Sequence, residues 1–256
     1  MQRWHLAIQL AILSAVYLAL RIPLMTSALW HDEIYNTSLY LNTLPLLQAN
    51  PDPGWGADWA KQISIHPPLV SLGYFAWIQV FGDSELSLHT PTLVAGLLSV
   101  WLTHLLGREL FDSTTGFVAS LALACCSAHM VFSTQAVHAV FELTCYAASV
   151  LLLYRLWRTQ DVRTKRGLLA LNVLGVLTFY HYMYYLAAQT ALLWWRRREH
   201  EVGAVYFVVA ISAIVGFGLF AMFYTYAGVI NLDEFPVNDL STTIYNGVRL
   251  PQQFTR

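Results

Sequence analysis

An all-α, polytopic integral membrane protein is the fold class this sequence predicts, and three observations predict it. Of 256 residues, 57% are hydrophobic and only 11% are charged, whereas a soluble domain carries about 25% charged residues. Mean hydropathy is +0.49. Long apolar stretches recur at 6–25, 86–106, 116–133, 139–157, 167–195 and 203–227. Nine Trp, fourteen Tyr and thirteen Phe suit a chain that anchors itself at two membrane interfaces. A soluble enzyme, a secreted disulfide scaffold and a disordered tail are excluded. A net charge of −1 leaves no basic surface for nucleic acid. Cys125, Cys126 and Cys145 sit in apolar runs without metal or redox spacing and read as small core residues.

Each stretch has its own justification. The first, 6–25, is about the 20 residues a bilayer requires. It lacks a small-residue cleavage motif, which marks it as a retained helix rather than a signal peptide. A shorter stretch, 67–81, opens with Pro67-Pro68 and carries Tyr74 and Trp77. As a helix it would reach only roughly 22 Å against a hydrocarbon core of about 30 Å, and it is expected to lie at the interface without crossing. The stretches 86–106, 116–133 and 139–157 are expected to cross singly. The stretch 167–195 has basic flanks on both sides and is expected to form a tight hairpin of two short helices, turning near Tyr180-His181-Tyr182. The stretch 203–227 makes the last crossing.

Orientation follows from the basic residues. Eight of the fourteen Lys and Arg fall between Arg155 and Arg166 or between Arg196 and Arg198, and such clusters stay in the cytoplasm. With Arg3 also inside, the chain is expected to cross seven times. It then forms one transmembrane module over 1–227, with a tail at 228–256 outside. The loop 26–66, the loop at 134–138 and the hairpin tip at His181 would all face the extracytoplasmic side of the plasma (inner) membrane.

The polar residues of interest converge on that side. The first loop opens Leu29-Trp30-His31-Asp32-Glu33-Ile34-Tyr35, and two adjacent carboxylates at a membrane surface can act as a general base or as metal ligands. Plain solvation of the pair is the alternative. The loop closes Ile65-His66-Pro67-Pro68-Leu69, where His66 either caps a helix or enters a site. Five histidines, His31, His66, His89, His138 and His181, fall on this side. A divalent metal (Mn, Mg or Zn) on Asp32, Glu33 and His66 stays open, although no HxxxH or HExxH spacing supports one. Arg21, near the outer end of the first helix, either snorkels to headgroups or contacts an anionic substrate. The aromatic run 179–185 reads as an interfacial belt rather than a sugar platform. Glu142, inside a membrane segment, is a functional residue by default.

Taken in order, Trp-x-Asp-Glu after a first helix, then His66-Pro67-Pro68-Leu69 opening a short aromatic helix, resembles the polyprenyl-phosphate-sugar-dependent glycosyltransferases of the GT-C type. Protein O-mannosyltransferases and lipid A aminoarabinose transferases are among them. The resemblance continues through Phe81-Gly82-Asp83-Ser84-Glu85, Pro91, Leu105 to Phe111, Phe132-Ser133 and Phe179-Tyr180-His181-Tyr182. It implies extracytoplasmic juxtamembrane helices beside about seven transmembrane helices. It also implies an inverting transfer of a sugar from a lipid-phosphate donor to a glycan, lipid or protein acceptor. Asp32 maps to the family's base and Glu33 to its supporting carboxylate. Arg21, His66, His89, Gln135, His138, Glu142 and His181 map to the donor phosphate or the cavity around it.

This chain departs from the family at three places. His89-Thr90-Pro91 stands for an Arg-Leu-Pro sequence, and Gln135 and Val137 replace an acid and an arginine. Either Glu142 stands in for the lost carboxylate or the second site has decayed. Members are commonly longer, so the chain is read as a fragment, a truncated gene or a minimal version. The rival readings are a catalytically inactive, carrier-binding homologue or accessory subunit, and a transporter or flippase.

Overall fold

The computed structural model describes residues 2–26, 29, 68–179, 181–195 and 203–226, and every regular element among them is helical. We number the helices α1 (Gln2–Arg21), α2 (Pro68–Phe81), α3 (Glu85–Leu110), α4 (Ser113–Cys125), α5 (Ser127–Ser133), α6 (Ala139–Thr159), α7 (Val162–Thr178), α8 (Tyr182–Trp195) and α9 (Gly203–Tyr226). A 3₁₀ turn, Ile22–Leu24, follows α1. The acidic loop and the tail, with the expectations placed on Asp32, Glu33 and His66, lie outside the described residues.

The predicted short helix is present, and 167–195 divides into two short helices as expected, although each packs more against α9 than against the other. α2 is a 14-residue helix. The stretch 167–195 divides into α7 and α8 at Phe179 to His181, where the Phe179 N–H still bonds the Gly175 carbonyl and ends the helix. The expected seven crossings are corrected downward by length. Three described helices, Trp4–Leu24, Glu85–Leu110 and Ala139–Thr159, are long and apolar enough to cross, and the bent pair of α4 and α5 is either a fourth, broken span or a re-entrant loop. α7 and α8 run 17 and 14 residues, short of a full span of about 20. Only 17% of the apolar stretch of α1 is buried. Its exposed face carries Trp4, Ile8 and Ile12, as expected of a helix whose other neighbour is lipid.

Helix ends are set by local chemistry. Ser84, Asp112 and Asp161 cap α3, α4 and α7, their side chains accepting from the backbone N–H groups of Ser87, Thr115 and Thr164. These bonds satisfy donors that a helix start leaves orphaned. Between α2 and α3 the chain turns at Gly82, whose φ of +78° is open to glycine without strain. The Asp112 carboxyl is held below its ordinary value, chiefly by the Thr115 N–H and then by the Thr115 hydroxyl. A depressed folded value means that the cap stabilises the protein above the ordinary pKa of 3.8 and fades as pH falls through the lowered one. Asp112→Ala is therefore expected to lower the melting temperature at pH 7. The gap from the parent protein should close as acid protonates the parent's own cap, which thermal melts across acid pH would read.

Two interruptions in membrane helices are each repaired by a distant side chain. Pro91 lies within α3 and offers no N–H to the Ser87 carbonyl four residues earlier. That carbonyl instead accepts from the Trp77 indole N–H of α2 at 3.0 Å. At Cys126 the chain leaves helical geometry (φ −67°, ψ 125°), and α5 departs from α4 at 67°. The Ala124 carbonyl, which a continuous helix would pair with the Ala128 N–H, accepts from Arg21 at 2.9 Å. Inside hydrocarbon such replacements are obligatory, because water cannot serve as partner.

Packing runs from α1 through α4 to α3, then to α6, α7, α9 and α8. α3 and α4 meet backbone to backbone: a Cβ at Gly107 would stand 2.6 Å from the Gly116 Cα. A buried polar network joins α6, α7 and α8. In it Ser149 and Tyr182 donate to the Asn172 carbonyl oxygen at 2.7 and 3.0 Å, and the Gln189 amide donates to Ser149 at 3.1 Å. At the end remote from Arg21, Arg155 of α6 grips the Glu109 carboxylate of α3 at 2.5 and 3.0 Å.

Candidate active site

At the Arg21 end, the 134–138 segment, the first turn of α6 and the α7–α8 turn come together. His138 caps α6 by position without a side-chain capping bond. Its ring lies 6.0 Å from the Phe179 ring, and Phe179 lies 4.7 Å from His181. Glu142, one turn into α6, accepts a hydrogen bond from the Tyr146 hydroxyl one turn later, and it is close enough to His181 for their charges to interact. Tyr146 stacks on Tyr182 at 5.1 Å, nearly parallel at 7°, and leans on Tyr185 at 4.9 Å. The structure thus gathers His138, Glu142 and His181, three of the residues to which the sequence points.

Gln135 is adjacent in the chain. Its side-chain oxygen is buried and lacks a hydrogen-bond partner among the described residues. His89 has a different place. It is buried in α3 and its Nδ1 meets the Met25 carbonyl at 3.0 Å, fastening the turn after α1. Arg21 does not snorkel. It is fully buried, donating to Ser133 Oγ at 2.6 Å, to the carbonyls of Ala124 and Tyr17 at 2.9 and 3.3 Å, and to His129 Nδ1 at 2.8 Å.

The acidic motif itself is outside the described residues, but the chain leading to it is not. Leu29, three residues before Asp32, packs against a cluster of Val70, Tyr74 and Ile78 of α2, Leu88 of α3, and Ala136. Phe141 packs on the same cluster. Ala136 lies between Gln135 and His138, and Phe141 precedes Glu142. Alongside runs an apolar groove of about 470 Å³ between α2, α3, α6 and α7, bordered by Trp77, Val94, Leu98, Phe141, Leu171 and Leu174.

A family model described as dolichyl-phosphate-mannose-protein mannosyltransferase matches residues 65–223, more than half of the chain, beginning at the Ile65-His66-Pro67-Pro68 sequence and ending within α9. The chain belongs to that family. It is accordingly a membrane glycosyltransferase of the GT-C type, and the resemblance drawn from its motifs is correct. No curated protein matches the chain.

Some participants were not legible in the sequence. The aromatic run 179–185 is not a uniform interfacial belt: Tyr184 is 74% exposed, whereas Tyr182 is fully buried. Tyr146, the hydroxyl partner of Glu142, was missed. The i, i+4 spacing of Glu142 and Tyr146 on one helix face was the available signal. That His129 and Ser133 partner Arg21 gave no signal in the sequence, because their meeting spans more than 100 residues of chain. Among the described residues no group of three or more His, Cys, Asp or Glu could hold a metal ion. The trio Asp32, Glu33 and His66 lies outside them.

Proposed function

We propose that this protein transfers a sugar from a polyprenyl-phosphate-linked donor to an acceptor hydroxyl at the extracytoplasmic face of the plasma membrane, with Asp32 as general base. The observation that carries this reading is the packing of Leu29 against the cluster holding Ala136. Asp32 follows three residues further along the chain, and that short separation supports the reading that the acidic motif works together with Gln135, His138, Glu142 and His181.

In the reaction, the acceptor oxygen attacks the anomeric carbon while its proton passes to the Asp32 carboxylate. The bond from that carbon to the phosphate oxygen breaks, the lipid phosphate leaves, and the configuration inverts. Glu33 is the supporting carboxylate of Asp32 and orients it. His66 donates to the phosphate oxygens, and His138 and His181 line the cavity with Gln135 and Glu142. A leaving phosphate needs such donors in a site poor in water. The groove beside α2 supports the lipid half of the donor, since its walls are almost wholly apolar. Membrane lipids and a glycan, lipid or protein acceptor complete the partners. Any divalent cation would sit on Asp32, Glu33 and His66. Release lost in EDTA and restored by Mn²⁺ would assign one.

The test is release of polyprenyl phosphate from a panel of lipid-phosphate sugars by the reconstituted chain. Release from one donor above the rest is expected and would name the sugar. Donor binding with no release from any member would favour the inactive homologue, the reading that the Gln135, Val137 and His89 departures support. Flux of an intact donor across vesicles would favour a flippase.

A further inference from the structure

Arg21 is an unusual residue in this bundle. It is fully buried in the membrane region, and among the described residues no carboxylate bonds it. A buried cation is costly unless its donors are all engaged. Here Nε–H serves Ser133, the two terminal nitrogens serve Ala124, Tyr17 and His129, and the guanidinium lies 3.9 Å above the Tyr17 ring. Because Arg21 only donates, His129 Nδ1 must accept, which places its proton on Nε2. There it meets Ser99 Oγ at 2.9 Å, whose own hydroxyl is spent on the Gly96 carbonyl at 2.8 Å. Ser133 likewise donates to the His129 carbonyl at 2.6 Å. The hydrogen bonds form one consistent set, leaving no donor opposed to a donor.

Apart from the Tyr17 carbonyl of its own helix, the groups Arg21 bonds belong to the bend and to α5 beyond it. Ala124 is the carbonyl freed by the break at Cys126. His129 and Ser133 are on α5, a seven-residue helix with no side-chain cap at its start. On the other side, Arg21 ends α1, and the chain proceeds through the Ile22–Leu24 turn, fastened by His89 on the Met25 carbonyl, to Leu29. One guanidinium therefore stands between the two segments that reach the site, the chain entering the acidic motif and the 134–138 segment.

We propose that Arg21 is a positioning residue for the transfer reaction. It fixes the direction of α5, and thereby holds Gln135 and His138 in place beside Glu142 and His181, without touching the donor. This rests on the function proposed above. It also explains why arginine is used: a planar fork reaches several acceptors in fixed directions, which a lysine ammonium on a single stem does not.

Two readouts on the full reconstituted chain test this. The first needs no activity. Leu29→Cys and Ala136→Cys, placed in a chain whose three native cysteines are serine, should be bridged by a short bifunctional thiol reagent. Adding Arg21→Met should cut that bridging several-fold in protein that still elutes as a folded monodisperse species. The second is kinetic. Arg21→Met should lower kcat for polyprenyl phosphate release by about 10–100-fold, the penalty of a displacement near 1 Å, while donor KM stays within about threefold. Arg21→Lys should recover part of the loss. If Arg21→Met fails to fold, Ser133→Ala removes one of the same bonds and should move both readouts in the same direction by less.

Undiminished bridging in Arg21→Met overturns the proposal. So does a rise in donor KM with kcat unchanged, which would make Arg21 a donor contact. Bridging that depends on Arg21 in a chain that releases no polyprenyl phosphate would instead sink the proposed function and leave the geometric role standing.

Discussion

Asp32→Asn is expected to reduce polyprenyl phosphate release by about 10²–10⁴-fold, the usual worth of a positioned general base. The exchange keeps the shape of the side chain and removes its ability to accept a proton. Donor binding should therefore survive and kcat should carry the loss, as when an interaction made only in the transition state is deleted. Glu33→Gln should cost less, because its part is to orient its neighbour rather than to take the proton. In the parent protein the rate should fall as acid protonates the base. That dependence should vanish in what activity Asp32→Asn retains.

Glu142→Gln is the informative comparison. Glu142 is within the assembled site, bonded by Tyr146 and near His181, whereas Asp32 is assigned by the resemblance of its motif. If Glu142→Gln produced the large loss and Asp32→Asn did not, the base would be the carboxylate on α6.

Gly116→Ala is expected to produce the largest loss of stability of any single-methyl change in the bundle. A Cβ there would lie 2.5 Å from the His104 carbonyl oxygen and 2.7 Å from the Arg108 backbone nitrogen. Both are backbone atoms of α3, which no side-chain rotation can move aside. Relief requires the two helices to separate along their whole contact. Overpacking of this kind costs about 1–3 kcal/mol, and here it acts on the helix pair with the most extensive contact in the bundle. Small residues that let backbones touch are the main source of helix association in lipid, where no hydrophobic force pulls helices together. Thermal melting in detergent should show a clear fall in midpoint. Gly73→Ala is a fair comparison, since nothing lies within 4 Å of a Cβ added there. An equal loss in both variants would refute the tight-crossing explanation.

The order of residues alone was enough to establish the membrane class, the all-helical fold, the short helix at 67–81 and the break near His181. It was also enough for the family. Each of these rests on local signals: apolar runs, a Pro-Pro start, basic flanks, and motifs whose order along the chain survives without knowledge of contacts. Among the described residues fewer than seven helices are long and apolar enough to cross, chiefly because α7 and α8 run only 17 and 14 residues; hydropathy marks where a chain is apolar and not how long each straight helix is.

The site shows the same division. Glu142 stood out because a carboxylate in an apolar run is costly enough to demand a reason. Its partner Tyr146 was marked only by i, i+4 spacing, whereas the His138–Phe179–His181 arrangement appeared only when separate segments met. Arg21 illustrates the limit most clearly. From sequence, an arginine near the outer end of a first helix could face headgroups or substrate. It took the packed bundle to put Ala124, His129 and Ser133 around it and turn a charged residue into the fastening of a bend. A side chain's local sequence decides what it can bond, whereas the groups left unsatisfied by breaks elsewhere in the fold decide what it does bond.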